Sequence, residues 1–204
     1  MRDTNGGIIL PSSFIDTAEI LRLIAAIDRI IIRKTLLTQS NLLKQGKVFS
    51  FSMNLSGKDL EDKDLLEFLK STIAKTGADT KYLIFEITEI AAVRDLDRAI
   101  KFIRELKSIG CSFVLDDFGV GFTSFKYLKE MGVDYIKIDG SFIRKLHETQ
   151  SHHIFVKAMA DVARGMGIKT IAEFVENEET VRILKEYGVD YAQDYFIGKP
   201  APEI

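Results

Sequence analysis

The chain has few cysteines, few prolines and no excess of charge of either sign, and each shortage excludes a class of protein. Cys111 is the only cysteine among 204 residues, and one thiol can form neither a disulfide framework nor a cysteine-based zinc site. We therefore expect Cys111 to pack as a small apolar residue in a protein of the reducing cytoplasm. Three prolines and no low-complexity tract leave no obvious linker, so a single domain is expected.

The charges are nearly balanced, with 28 basic and 30 acidic residues and a net charge of −2. Such a balance gives no electrostatic footprint for duplex DNA or an anionic membrane, so any nucleotide ligand would be recognised locally. The most apolar run, residues 20–32, contains Arg22, Asp28 and Arg29. It is too short and too charged to cross a bilayer, and it predicts an amphipathic helix without membrane insertion.

The most informative stretch runs from residue 113 to residue 124. Its apolar start predicts a strand, which leads into Asp116 and Asp117 and then into a loop containing Gly119 and Gly121. Adjacent aspartates at a buried strand end are costly unless a cation neutralises them. A turn or helix cap built from Asp and Gly remains the alternative for this stretch taken alone.

Strands and helices are predicted to alternate from residue 47 onward, after two helices between residues 14 and 43. Units of about thirty residues with this alternation predict parallel strands joined by right-handed crossovers. Most of the helices end at a glycine, which is a common helix terminator. One strand is predicted to begin at residue 113, and the other five are predicted at residues 48–55, 82–87, 135–139, 169–174 and 191–196. The helices are predicted at residues 60–75, 95–107, 124–130, 153–164 and 178–187.

Each predicted strand carries a polar residue in or just after its apolar run. In a parallel barrel the carboxyl ends of all strands meet at one mouth, so these side chains are expected to converge on one site. A set of separate structural polar residues is the alternative. The polar residues are Asn54, Glu86, Asp116 with Asp117, Lys137 with Asp139, Glu173, and Gln193.

These residues offer carboxylate and amide oxygens, which favour Mg2+ or Mn2+ over zinc or copper. Two such cations could activate a water and neutralise a phosphodiester during in-line attack. Lys137 could orient the water or the phosphate, or it could form a salt bridge to Asp139, Asp116 or Glu173. The three histidines are expected to be surface residues outside this site: His147, His152 and His153.

Six motifs in order give the chain a resemblance that covers nearly all of it from Pro11 onward. They are Asn54-Leu-Ser, Glu86-Ile-Thr-Glu89, Asp116-Asp-Phe-Gly-Val-Gly-Phe-Thr-Ser124, Asp134-Tyr-Ile-Lys-Ile-Asp139, Ala172-Glu-Phe-Val-Glu-Asn177 and Gln193-Asp-Tyr-Phe. This series resembles that of the EAL-domain cyclic di-GMP phosphodiesterases. The resemblance implies an α/β fold of the TIM-type (β/α)8 barrel class that hydrolyses cyclic di-GMP to linear pGpG with Mg2+ or Mn2+ in a two-metal site.

The resemblance also implies a role for each matching residue. Glu173 and Lys137 would be catalytic, with Glu173 acting at the metal-bound water and Lys137 beside it, and Gln193 would lie in the shell of water and metal. A homodimer and an upstream regulatory domain are further implied partners. The metal ligands would be Asn54, Glu86, Asp116, Asp117 and Glu173; the supporting residues would be Glu89, Gly119, Gly121, Thr123, Ser124, Asp139 and Glu176.

The chain departs from the family pattern at its start. The Glu-Ala-Leu strand, an arginine thought to hold substrate phosphate and one further strand would lie before Met1, so residues 1–204 are expected to form a single EAL-type domain lacking its first two strands. Because a ligand glutamate would be absent, a phosphodiesterase, a catalytically impaired cyclic di-GMP receptor and a nonfunctional fragment all remain open. Smaller departures are Val120, Phe174 and Asp194.

Overall fold

The computed structural model describes residues 4, 7, 9–10, 13–21, 23–121, 124–147, 149–199 and 201. Six strands form one sheet in the order in which they occur in the sequence, and every neighbouring pair is parallel. The predicted α/β arrangement of parallel strands is therefore confirmed. The strands are β1 (Phe51–Leu55), β2 (Leu83–Thr88), β3 (Ser112–Phe118), β4 (Tyr135–Ile138), β5 (Lys169–Ala172) and β6 (Tyr191–Ala192).

Helices precede the sheet and connect its strands, as the alternation in the sequence predicts. Local signals fix several of their ends: Ser56 and Asp59 form a capping box at the start of one helix, and Gly77 ends another with a left-handed φ of 68°. The helices are α1 (Ile15–Ile20), α2 (Ile24–Lys44), α3 (Gly57–Glu61), α4 (Leu65–Thr76), α5 (Glu89–Arg94), α6 (Leu96–Lys107), α7 (Phe125–Met131), α8 (Gly140–Ile143), α9 (Gln150–Gly165) and α10 (Glu178–Tyr187), with a 3-10 turn at Thr80–Tyr82.

The hydrophobic core lies between the helices and one face of the sheet. Along β2 the side chains alternate, so that Leu83, Phe85 and Ile87 are fully buried while the residues between them are partly exposed. The ring of Phe85 lies 5.6 Å from that of Phe113, which in turn meets Phe102 of α6 edge-on at 6.2 Å. The opposite face carries apolar side chains such as Ile84, Val114 and Ile171 together with polar ones such as Ser52 and Glu86.

The sheet is open. In the part of the chain that the structure describes, the strand order runs from β1 to β6 and no pairing joins these two edge strands. This agrees with the expectation of an incomplete barrel. None of the described helices is both long enough and apolar enough to cross a membrane.

Cys111 is buried and free, as predicted for a packing residue. Burial raises the pKa of its thiol to about 12.

Candidate active site

The carboxyl ends of β1 to β5 bring the predicted polar residues to one edge of the sheet. Asn54 lies beside Glu86 in the register of β1 and β2. The register between β3 and β4 shifts after Leu115, and within this irregular segment Asp117 has a left-handed φ of 54°. In a regular strand, successive side chains point to opposite faces. Because the backbone is irregular here, the side chains of Asp116 and Asp117 can both lie in the same group of carboxylates.

Asp116, Asp117 and Glu173 form that group. Each offers one carboxylate oxygen, and these three oxygens all lie within 4.8 Å of one another. All three residues are partly exposed. Oxygen ligands at such spacing fit a hard divalent cation such as Mg2+ or Mn2+.

Lys137 lies at the centre of the acidic residues and is only 5% exposed. Its Nζ lies 2.6 Å from Glu173 Oε1, 3.1 Å from Asp116 Oδ1 and 3.2 Å from Glu86 Oε2. The salt bridges to Asp116 and Glu173 that the sequence allowed are therefore present, and Glu86 adds a third. We call Glu86, Asp116, Lys137 and Glu173 the lysine cluster.

Charge and burial act against each other in this cluster. Burial by itself lowers the pKa of Lys137, but the negative charges of Glu86, Asp116 and Glu173 outweigh it, so the pKa lies well above its usual value and the ammonium stays charged. Burial raises the pKa of Glu173, against the opposing effect of Lys137. Glu173 therefore holds a proton more tightly than an exposed glutamate does.

Asp117 extends the negative side of the site. Its pKa is raised first by burial and then by the charges of Asp116 and Asp139. With Asp117 included, four carboxylates face one lysine, so negative charge is left uncompensated. The donor set and the surplus charge both fit a bound divalent cation.

Ser52 is a member of the site that sequence reasoning missed. Its hydroxyl donates a hydrogen bond to Glu86 Oε1, while the other Glu86 oxygen faces Lys137. The signal was available, because Ser52 stands two residues before Asn54 and so shares its face of β1. A cavity of about 400 Å³ on this face is lined partly by Ser52, Glu86, Tyr135 and Gln193.

The predicted supporting loop is held by Glu89, which is 1% exposed at the start of α5. One oxygen of Glu89 accepts hydrogen bonds from the backbone N–H groups of Gly119 at 2.9 Å and Gly121 at 3.1 Å. A Cβ on Gly121 would lie 2.7 Å from Glu89, which explains the glycine there. Ser124 directly precedes α7, and Thr123 lies outside the described residues.

Other predicted residues lie at the margin of the site. Asp139 caps α8 by accepting a hydrogen bond from the Ser141 N–H at 2.8 Å. Among the described residues, Asn54, Gln193 and Glu176 are exposed, and their side chains form no hydrogen bond or ion pair with the lysine cluster.

Asp194, a departure noted in the sequence, helps to line a cavity of about 240 Å³ together with Glu173, Phe174 and Gln193. Its carboxylate accepts a hydrogen bond from the Tyr195 N–H at 2.6 Å. The negative charge of Asp194 is therefore beside the site, and the Tyr195 N–H is its hydrogen-bond partner.

Comparisons with known sequences agree with this geometry. The sequence model of the EAL domain matches residues 1–200. The chain is 41% identical over 197 residues to the cyclic di-GMP phosphodiesterase PdeB of Shewanella oneidensis, and 33% identical over 204 residues to the cyclic di-GMP phosphodiesterase PdeF of Escherichia coli. These matches cover 97% and 100% of this chain but 23% and 27% of the two relatives, so the chain spans about a quarter of their length.

Solved structures agree as well. A PaMucR phosphodiesterase in complex with c-di-GMP matches with a TM-score of 0.93 at 28% identity, over 98% of this chain and 82% of the other. The FimX EAL domain matches with a TM-score of 0.91 at 26% identity, over 98% of this chain and 80% of the other. These EAL structures are TIM-like barrels, so the open sheet corresponds to an incomplete barrel.

Proposed function

The chain belongs to the EAL domain family, and from that premise we propose that it hydrolyses cyclic di-GMP to linear pGpG with two Mg2+ or Mn2+ ions. The observation that carries the proposal is the grouping of Asp116, Asp117 and Glu173 beside Lys137. A hydrolase for a phosphodiester needs positive charge near the phosphate and a base near the water. The grouped carboxylates supply ligands for the metal ions that would carry the positive charge, and Glu173 is the candidate base.

Five residues would hold the metal ions: Asn54, Glu86, Asp116, Asp117 and Glu173. Bound divalent cations supply charge for the phosphate oxygens and lower the pKa of a coordinated water. Glu173 would accept the proton of the attacking water, since burial raises its pKa and makes its carboxylate a stronger base. Lys137, 2.6 Å from Glu173, would orient that carboxylate and the water, with Gln193 at the edge of the water shell.

The domain assignment is part of the proposal. Residues 1–204 would form one EAL-type domain whose barrel is closed by two strands between β1 and β6. The open strand order and the 82% coverage of the PaMucR structure support this. A homodimer and an upstream regulatory domain would complete the protein. Exposed apolar side chains beside the supporting loop, such as Val120 and Phe125, suit a protein contact there.

A catalytically impaired receptor for cyclic di-GMP is the second candidate. It is favoured by the contacts of Lys137, because its ammonium already pairs with Glu86, Asp116 and Glu173, the carboxylates that would bind the metal ions. These ion pairs compete with metal binding. It could bind a cyclic dinucleotide and signal by conformation alone.

Turnover of cyclic di-GMP tests the two candidates. The purified chain is incubated with cyclic di-GMP and Mn2+, and the products are resolved by chromatography, with binding measured separately by calorimetry. We expect pGpG from the unmodified chain and, from Glu173→Gln, a loss of about a hundredfold or more in turnover with binding largely kept. Glu67→Gln, an exposed glutamate on α4, is the matched control.

Three results decide the matter. Binding without product would favour the receptor. The absence of both binding and product would contradict both candidates. Turnover by Glu173→Gln equal to that of Glu67→Gln would remove Glu173 from its role as the base.

A further inference from the structure

Phe174 has a backbone conformation that is unusual for its side chain. It directly follows Glu173 after β5, and its φ is 53°, in the left-handed region that favours glycine. Backbone strain of this kind persists only where the surroundings hold the residue in place. The contacts of the Phe174 ring show what holds it.

The ring packs between Gly140, which begins α8, and Arg144, which directly follows it. A Cβ built on Gly140 would lie 1.8 Å from Phe174 Cδ2, so the ring occupies the space that a side chain at position 140 would need. Over the ring, the guanidinium carbon of Arg144 lies 3.7 Å from the ring centroid, which is the geometry of a cation–π contact. We call Gly140, Arg144 and Phe174 the ring stack.

The ring stack joins the ends of the two strands that carry the catalytic candidates. Gly140 stands three residues after Lys137, and Phe174 is the neighbour of Glu173. Lys137 and Glu173 are themselves in contact at 2.6 Å. A movement of the ring would therefore change the separation of these two strand ends.

From these contacts we infer that Phe174 is a positioning residue, which through the ring stack fixes Glu173 against Lys137. The inference rests on the proposed function for its catalytic consequence, but the contact between the two side chains can be tested without it. Glycine adopts a left-handed φ at no steric cost, so Phe174→Gly removes the ring and relieves the strain together. This variant is expected to fold. Because it changes the ring and the backbone together, Arg144→Gln, which leaves the backbone of residue 174 unchanged, tests the ring stack separately.

The first measurement is nuclear magnetic resonance of the Lys137 ammonium in the metal-free chain with 15N-labelled lysine. A buried ammonium held by Glu173 exchanges its protons slowly with water. We expect a Lys137 Nζ signal in the unmodified chain, its loss in Phe174→Gly through faster exchange, and its return in the conservative variant Phe174→Tyr. A signal that is unchanged in Phe174→Gly would overturn the inference.

The second measurement separates kcat from KM for cyclic di-GMP. Displacement of a catalytic pair should lower kcat by about tenfold with little change in KM, since substrate contacts remain. Arg144→Gln removes only the exposed guanidinium that lies over the Phe174 ring, and it is expected to lower kcat less than Phe174→Gly does. It also keeps the inference testable if Phe174→Gly does not fold. Arg33→Gln, which removes an exposed guanidinium near the Phe68 ring on the other side of the fold, is the matched control.

The two measurements test different claims, the role of the Phe174 ring and the proposed function. If no variant and no unmodified chain turns over cyclic di-GMP, the proposed function is wrong, while the ammonium signal still decides the role of the ring. If turnover occurs and both Phe174→Gly and Arg144→Gln match Arg33→Gln in kcat and in the signal, Phe174 is only a packing residue.

Discussion

Two regions of this chain bring carboxylates together, and they neutralise them in different ways. In the lysine cluster, Glu86, Asp116 and Glu173 share the ammonium of Lys137. The second region is the pair formed by Asp28 of α2 and Asp59 of α3, which we call the aspartate pair. Burial, followed by the hydrogen bond and the charge of Asp59, raises the pKa of Asp28 to about 7.

The aspartate pair uses a proton where the lysine cluster uses an ammonium. Asp59 is 1% exposed, and its Oδ2 accepts hydrogen bonds from the N–H and the hydroxyl of Ser56, both at 2.8 Å. Its other oxygen is buried and meets no N–H donor among the described residues, so the proton held by Asp28 is the available neutralising group. Two ionised carboxylates in contact repel each other, so one retains a proton.

The difference has a chemical consequence. A lysine whose pKa is raised stays charged over the whole neutral range, so its ion pairs persist there. A proton shared between two aspartates leaves as the pH rises through 7. The cation of the lysine cluster is therefore permanent in the neutral range, whereas the proton of the aspartate pair responds to pH.

Removal of the ammonium should give the largest effect. Lys137→Met leaves three carboxylates together without a cation, and the cost of breaking a buried ion pair is about 3–5 kcal/mol in the free energy of unfolding. Urea denaturation at pH 8 in the absence of metal measures it. Lys70→Met, which removes a partly exposed partner of Glu105, is the control and should change little. Equal destabilisation by both variants would show that the cluster does not depend on its lysine.

A smaller, pH-dependent effect is expected in the aspartate pair. The folded pKa of Asp28, about 7, is above the usual value of about 3.9, so the folded state binds this proton more tightly than the unfolded state. The stabilisation is complete below about pH 4 and is lost as the pH rises through 7. Between pH 5 and pH 8 we expect the unmodified chain to lose on the order of 1–2 kcal/mol of stability relative to Asp28→Asn.

Asparagine is the suitable replacement because it is neutral and can still donate an N–H to Asp59 at every pH. Urea midpoints at pH 5, 6, 7 and 8 give the comparison, with Asp64→Asn, an exposed aspartate before α4, as the control. A difference between the chain and Asp28→Asn that stays constant with pH would mean that the pair holds no shared proton in this range.

Asp117 should give the smallest effect, and its sign depends on metal. Its raised pKa means that the ionised form is disfavoured in the folded chain, so Asp117→Asn should slightly stabilise the metal-free chain at pH 8, by less than the change expected for the aspartate pair. Ligand binding to the folded state raises stability, and the variant should gain less from Mn2+ than the unmodified chain does. Thermal melting with and without Mn2+ shows both effects. A full response of Asp117→Asn to Mn2+ would remove it from the ligand set.

The sequence predicted the alternation of strands and helices because local signals determine it. Helix α10 agrees at both ends with the predicted residues 178–187, since the Asn177 side chain caps its start and Gly188 follows its end. The helix predicted at residues 60–75 is instead two helices, because the capping box of Ser56 and Asp59 starts α3 early and the chain leaves the helix at Asp62. The short helices α5 and α8 were not predicted.

The last strand is shorter than local sequence signals predicted. Residues 191–196 were predicted, but β6 contains only Tyr191–Ala192. Gln193 continues the pairing through its N–H to the Ala172 carbonyl at 2.8 Å, and the chain then turns at Asp194, whose φ is 135°. Aspartate favours turns, but one aspartate does not by itself determine where a strand ends.

The site was predictable in outline for a topological reason. Carboxyl ends of parallel strands lie together, so polar residues at those ends are expected to be neighbours. The central role of Lys137, the hydrogen bond from Ser52 and the aspartate pair depend on distances between residues far apart in the sequence. Those contacts required the three-dimensional structure.

The buried thiol of Cys111 makes the chain suitable for spectroscopic labelling. Because this sulfur is 4% exposed and its pKa is about 12, maleimide reagents at neutral pH should leave it unmodified. Single cysteines introduced on the exposed surfaces of α2 and α10 could then each carry a fluorophore without removal of the native residue. Energy transfer between the two dyes would report how the gap between the first and last strands changes when a partner segment or a nucleotide is added.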